Sequence, residues 1–471
     1  MIEPSSLLEI DKGTITAPAG CGKTHLVAQA VAEHESELPL LVLTHTNAGV
    51  AALRTRIGKL GVDLKKARIA TLDGWSLKLI SSFPIRSEID PIHLLLNDPK
   101  RDYPAIREGA LNIVLKGHVR EILRASYSRQ IVDEYQDCQP DQHLLVQGLA
   151  QDLPTCVLGD PLQSIFNFTK EGTVHWEEDV LTAFPSAGEL KTPWRWKLAG
   201  NEALGEWLLS IRPVLIGGSQ IDLRNAPDCV EWVCLDGVDD WSKQLQAANT
   251  RSPDPQGGSL IMAKWPKDQA EYARKIPGAS KVENADLTDL QSFASNFDLT
   301  SGSRLKTLID FAASVMTGVD RTALTSRLKA ISQGTNRNPP TELEAAILKF
   351  GKASSYRGAA IVLSEFTKDS GVRVFRPELL RTAIKALSAA GEGDPDALRQ
   401  LAVSIRDQMR VLGRSLPKKA VGSTLLFKGL EADVSIVLQA EGMDARDLYV
   451  ALTRGAKKVV VCSKSPLLPI S

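Results

Sequence analysis

The sequence predicts an α/β protein made of two parallel-sheet units, each carrying a mainly helical insertion. Three observations predict it. Short apolar runs ending in polar loop residues alternate with helical segments over the first third of the chain. The same alternation resumes near residue 190 and returns after 415, while residues 301–414 read as helices alone. At 471 residues, the chain also exceeds one ordinary core.

In order, "GTITAPA" (13–19) reads as a strand entering a Gly-rich turn, with a helix from about Lys23 to His34. "LPLLVLTH" (38–45) is a buried-type strand and "NAGVAALRTRIGKL" (47–60) a second helix. "RIATLDGW" (68–75), "RQIVDEYQ" (129–136) and "PTCVLGDPLQ" (154–163) repeat the strand theme. Strands alternating with helices imply a parallel sheet covered on both faces, and ligands on such sheets gather at the strands' carboxyl ends. "VEWVCL" (230–235) and "GSLIMAK" (258–264) begin the second unit, and "STLLF", "VSIVLQ" and "KKVVVCS" finish it as strands. The expected division is 1–190 for the first core domain, with a short helical insertion at 76–128. The second core domain is expected at 191–300 and 415–471, around a helical insertion at 301–414.

Composition narrows the class. With 43% hydrophobic and 24% charged residues and no apolar run of 18 or more, a globular protein without a membrane partner is expected. The acidic "MIEPSSLLEIDKG" lacks a signal pattern, and six scattered cysteines show no metal-ligand spacing, so the expectation is a reduced, cytoplasmic protein. Basic and acidic residues balance at 56 each, which argues against non-specific nucleic-acid avidity but leaves room for a narrow basic channel.

"APAGCGKTH" places small residues between a strand and a helix. Backbone N–H groups of Ala19, Gly20, Cys21 and Gly22 can wrap a polyphosphate there, with Lys23 on the β- and γ-phosphates. Thr24 offers a hydroxyl to Mg²⁺. "DEYQD" follows another strand, so Asp133 can complete the Mg²⁺ site and Glu134 can take a proton from the attacking water. The pattern spells nucleoside triphosphate hydrolysis.

Around these residues the chain resembles the UvrD/Rep/PcrA-type helicases of superfamily 1. "LTHTNAGVAALRTRI" resembles their TFTNKAAxEMxxRI segment, sharing Thr44, Thr46, Asn47, Ala51, Arg54 and Arg56. "ATLDGW", "LGDPLQSIFNF", "FKGLEADVSIV" and "DLYVALTRGAKK" resemble further motifs of that family in the same order. The resemblance implies two RecA-like domains and an ATP- and Mg²⁺-dependent motor moving 3′ to 5′ on single-stranded DNA. It implies that Gln163 senses the γ-phosphate, and that Arg195 and Arg454 reach it from the second core domain. It places Trp194 against adenine, Glu431 on the ribose, and Thr44, Thr46 and Asn47 on the strand. Phe166 and Phe168 match base-stacking aromatics, with core packing as the other reading.

The chain departs from the pattern where His25 replaces an arginine flanking adenine, His45 a phenylalanine and Asp73 a histidine. A second resemblance, to the helicase-like subunit of the Gabija antiphage system, implies a different role. There the chain is a nucleotide-sensing regulatory subunit beside an OLD-family Toprim nuclease. Defence against phage and DNA repair are the settings these resemblances suggest.

Overall fold

The computed structural model describes residues 3–166, 172–284, 286–391, 394–411 and 416–469. The chain packs as two units. The first contains Met1–Trp232, Ala440–Lys458 and Ser465–Ser471, and the second Val233–Gln439 and Val459–Lys464.

The first unit is built on β1 (Lys12–Thr16), β2 (Leu40–Thr44), β3 (Ala67–Thr71), β4 (Arg129–Val132), β5 (Thr155–Gly159) and β6 (Ser186–Glu189). They lie in the order β3-β2-β4-β5-β1-β6, every pair parallel. Alternate residues serve two separate cores. Leu40 and Val42 join Ile15, Ile131 and Leu158 on one face, while Leu41 and Leu43 join Val132 and Val157 on the other. A sheet buried on both faces explains why these strands read as continuous apolar runs. Because β4, β5 and β1 are parallel neighbours, the loops after them all leave from one edge, and that edge carries the candidate site.

Two strand readings are corrected. "RIATLDGW" is a strand only to Thr71, whose hydroxyl accepts the Gly74 N–H and starts the helix Leu72–Ser82. Asp73 and Trp75 therefore stand on a helix, because a Thr N-cap outweighs the apolar run. "STLLF" is likewise the helix Thr424–Phe427, capped by the Ser423 hydroxyl on Leu426 N–H; the strand precedes it at Lys419–Gly422. β6, "SAGE", has no apolar signal and was not anticipated. The insertion between β3 and β4 continues from Leu72–Ser82 into the helices Pro99–Leu115 and Arg120–Ser126.

The second sheet comprises β7 (Val230–Cys234), β8 (Ser259–Met262), β9 (Ala279–Lys281), β10 (Lys419–Gly422), β11 (Ala432–Val437) and β12 (Gly455–Ser463). Its order is β9-β10-β8-β11-β12-β7, with β9, β10, β8 and β11 pairing parallel. The helical insertion enters the chain between β9 and β10. Its core is separate, built on Phe293, Phe297, Phe311, Phe350 and Tyr356. Phe293 stacks on Phe311 at 4.1 Å and on Phe297 at 5.0 Å between centroids. No helix among the described residues is long and apolar enough to cross a membrane.

Candidate nucleotide and strand site

The loop after β1 turns on two glycines with positive φ, Gly20 at 70° and Gly22 at 88°. A side chain at Gly20 would also collide, since a Cβ there would lie 2.5 Å from the Trp196 ring. Both glycines are therefore required by conformation and by close approach. Lys23 opens the helix Lys23–Glu33, so its own N–H and its neighbours' point out of the helix N-terminus.

The Lys23 ammonium sits 2.9 Å from Asp133 Oδ1 and 2.7 Å from Glu134 Oε1. Burial alone would lower the Lys23 pKa, but the two carboxylates outweigh it and raise it above the ordinary lysine range. Burial pushes the Asp133 carboxyl upward, with Lys23 opposing and Glu134 reinforcing the shift. Glu134 occupies the left-handed region at φ 57°, an uncommon state for a residue with a Cβ. That turn aims its carboxylate back at Lys23.

The residues following the acidic pair have a structural task. Gln136 donates to Glu134 Oε2 at 2.6 Å and accepts the Asp160 N–H at 3.0 Å, joining the loop after β4 to the loop after β5. Asp160, fully buried, accepts from the Ala19 N–H at 3.1 Å and from the Gln163 amide at 2.8 Å. Gln163 in turn meets Arg454 Nη2 at 3.5 Å. Hydrogen bonds thus run from the glycine-rich loop after β1 through Asp160 and Gln163 to Arg454.

Arg195 and Arg454 lie in the same packed unit as Lys23. The Arg195 N–H donates to the Gly20 carbonyl at 3.0 Å, and its guanidinium to the Thr453 carbonyl at 2.7 Å. Arg454, buried, donates to the Val450 carbonyl and the Thr453 hydroxyl, both at 2.9 Å. Trp194 lies over the glycine-rich loop after β1, its Cδ1 3.1 Å from where a Cβ on Gly22 would sit. Thr24 is half-buried and His25 exposed at the head of the helix. Glu431 is an exposed residue of the second unit.

Beside this edge, His45, Thr46, Asn47, Asp73 and Tyr103 are among the residues lining an open groove of about 320 Å³. Phe166 packs against His45 at 5.5 Å between centroids. Thr46 and Asn47 are exposed, whereas Thr44 is fully buried beneath Gly49. Phe168 lies outside the described residues. Asp73 is held by Arg107 in a fork, 2.6 and 2.8 Å, and by Gln142 at 3.0 Å. Burial raises its pKa, but the hydrogen bonds from Arg107 outweigh this and keep it below the ordinary range.

Residues 110–173 match the family described as UvrD/REP helicase N-terminal domain, a stretch that includes Asp133, Glu134, Asp160, Gln163 and Phe166. This stretch is similar to that domain; the match does not extend over the rest of the chain. No curated protein matches it. Among solved structures, the Pif1 helicase from Candida albicans is 12% identical over 98% of this chain and 94% of that one, with a TM-score of 0.42. The arterivirus nonstructural protein 10 helicase, solved in a complex with DNA, is 13% identical over 55% and 48%, at 0.27.

Sequence reading missed Arg212 and the part Tyr449 plays beside it. Arg212 Nη1 meets both Asp160 oxygens, at 2.8 and 2.9 Å, and the Tyr449 hydroxyl at 2.9 Å. Nothing in the spacing of Asp160, Arg212 and Tyr449 signals this, since 52 residues separate the first two and 237 the last two. Cys21, inside the phosphate loop, is buried, and burial pushes its thiol up to about 12. Since the thiolate is the reactive form, Cys21 should alkylate at least ~10-fold more slowly than exposed Cys234 at neutral pH. Peptide-resolved mass spectrometry after timed iodoacetamide exposure measures this, and equal rates would contradict the buried loop.

Proposed function

We propose that the chain is an ATP-driven translocase that moves 3′ to 5′ on single-stranded DNA. Ala19 to His25 would cradle the triphosphate, Lys23 would turn from the carboxylates to the β- and γ-phosphates, and Trp194 would stack on the base. Thr24 and Asp133 offer the hard oxygen donors that Mg²⁺ takes alongside substrate phosphates, and Asp133 is already a buried carboxylate paired with a cation. Bound there, Mg²⁺ would neutralise charge on the β- and γ-phosphate oxygens. Glu134 would take the proton of the attacking water, with Gln163, Arg195 and Arg454 stabilising the transferring phosphoryl group. Thr46, Asn47 and Phe166 would meet the strand, with Thr44 supporting them from below and Phe168 as a further stacking residue. Glu431 is proposed as the ribose contact.

The observation that carries this reading is the placement of Lys23 between Asp133 and Glu134, at 2.9 and 2.7 Å. An ammonium parked on both carboxylates is poised for exchange with a phosphate-bound metal. The test is ATP hydrolysis with and without single-stranded DNA: strong stimulation is expected. Phe166→Ala should weaken strand affinity by about 1–3 kcal/mol, the value of one stacked base, while basal hydrolysis persists. Fluorescence anisotropy with a labelled oligonucleotide measures it, and unchanged affinity would assign Phe166 to packing on His45.

A second reading has its own supporting observation. Asp73 puts a carboxylate, held ionised by Arg107, in the groove where a strand would pass. A negative charge there repels phosphate. Together with the balanced 56 and 56 charges, it favours a nucleotide-sensing regulatory subunit that controls a partner nuclease of the OLD-family Toprim type in antiphage defence. Hydrolysis indifferent to DNA would support this reading over the first.

A further inference from the structure

We infer that Arg212 is a positioning residue for hydrolysis, holding Asp160 in the orientation that ties the phosphate loop to Gln163. The inference rests on the ATPase reading above and adds to it a residue outside every motif of the sequence.

Asp160 is crowded. Its Oδ1 accepts the Leu162 N–H at 3.2 Å and Arg212 Nη1 at 2.8 Å. Its Oδ2 accepts the Ala19 N–H at 3.1 Å, the Gln163 amide at 2.8 Å and Arg212 Nη1 at 2.9 Å. A carboxylate offers about four lone-pair directions, so these donors leave it no free rotation. Two of them belong to the proposed nucleotide machinery, since Ala19 lies in the loop before Lys23 and Gln163 meets Arg454. Any swing of the Asp160 carboxylate therefore loosens the loop and the γ-phosphate sensor together.

Arg212 decides that orientation because it is the charged partner. Asp160 is fully buried and Arg212 is 4% exposed, so the bond from this charged donor is stronger than those the uncharged N–H donors make to the same carboxylate. The guanidinium is itself fixed, since it lies 5.2 Å over the Tyr449 ring and bonds that residue's hydroxyl at 2.9 Å. Tyr449 and Arg454 share the short helix Ala445–Leu452 and the turn that follows it. Arg212 thus links one more element of the unit to the loop that holds the phosphates, while its own side chain stays buried behind Asp160.

The experiment compares wild type, Arg212→Met, Arg212→Lys and Tyr449→Phe in the full chain, by steady-state ATP hydrolysis normalised to sites counted with a fluorescent ADP. Arg212→Met keeps most of the volume and removes the charge; its kcat should fall ~10²-fold, the cost of an ångström-scale misplacement, while KM for ATP moves less than ~3-fold. Arg212→Lys restores the charge on a differently placed nitrogen and should recover ~10-fold of that loss. Tyr449→Phe should fall only a few-fold. Wild-type kcat per site in Arg212→Met, or a loss shared equally between kcat and KM, would reduce Arg212 to a structural ion pair. If Arg212→Met does not fold, Arg212→Gln, which keeps a donor without the charge, takes its place, and wild-type kcat per site in it overturns the inference. Absence of ATP hydrolysis by wild type would instead defeat the underlying reading.

Discussion

Lys23→Ala is expected to abolish ATP turnover, with kcat/KM down by at least ~10²–10³-fold, the usual cost of removing one donor from a transition-state oxyanion. It should also destabilise the protein without nucleotide. Lys23 is the cation between Asp133, 4% exposed, and Glu134, 30% exposed. Its removal leaves two adjacent carboxylates facing each other at the buried edge of the sheet. Breaking a buried pair by deleting one partner costs about 3–5 kcal/mol, and water at Glu134 screens part of it, so about 3 kcal/mol is expected. Thermal unfolding in the absence of nucleotide measures the loss. Adding Glu134→Gln to Lys23→Ala should recover a good part of the stability and none of the turnover. A single variant as stable as wild type would mean that the ion pairs do not hold the site together.

The second large effect is on chemistry alone. Glu134→Gln should lower the single-turnover rate of hydrolysis by ~10²–10⁴-fold, the range for a lost general base. Nucleotide affinity should stay within a few-fold. The amide keeps the size of the side chain and an oxygen that can still accept from Gln136, and Asp133 keeps its pairing with Lys23. The left-handed backbone at residue 134 is unchanged by the substitution. Rapid-quench hydrolysis beside equilibrium binding of a fluorescent ATP analogue separates the two quantities. Undiminished hydrolysis would take the role of base away from Glu134.

Much of the architecture was legible in the residues. Continuous apolar runs such as "LLVLT" and "TCVLG", buried at every residue, marked the strands, and the Gly-rich turn before Lys23 marked the start of the following helix. Helix signals succeeded where apolar periodicity ran long, as in "ELLRTAIKAL", which lies within the helix Pro377–Ala389. They failed where one hydroxyl decided the outcome. Thr71 and Ser423 turn apolar runs into helices by capping, and a single side-chain hydrogen bond of that kind is invisible to a window of hydropathy. The three-residue β9 and the apolar-poor β6 were missed because they are strands by pairing with their neighbours, and their own residues carry little preference.

The same division runs through the site. Local chemistry along the chain singled out the residues proposed to grip a phosphate and activate a water: Gly20, Gly22, Lys23, Asp133 and Glu134 stand out by type and spacing, because a helix N-terminus and a strand end are short-range features. Only the folded chain decided that Gln136 bridges Glu134 to Asp160, that Asp73 answers to Arg107, and that Arg212 governs Asp160 from 52 residues away. Those partners are chosen by burial. A carboxylate taken out of water must find its donors wherever the packing supplies them, and no pattern in the linear chain records where that will be.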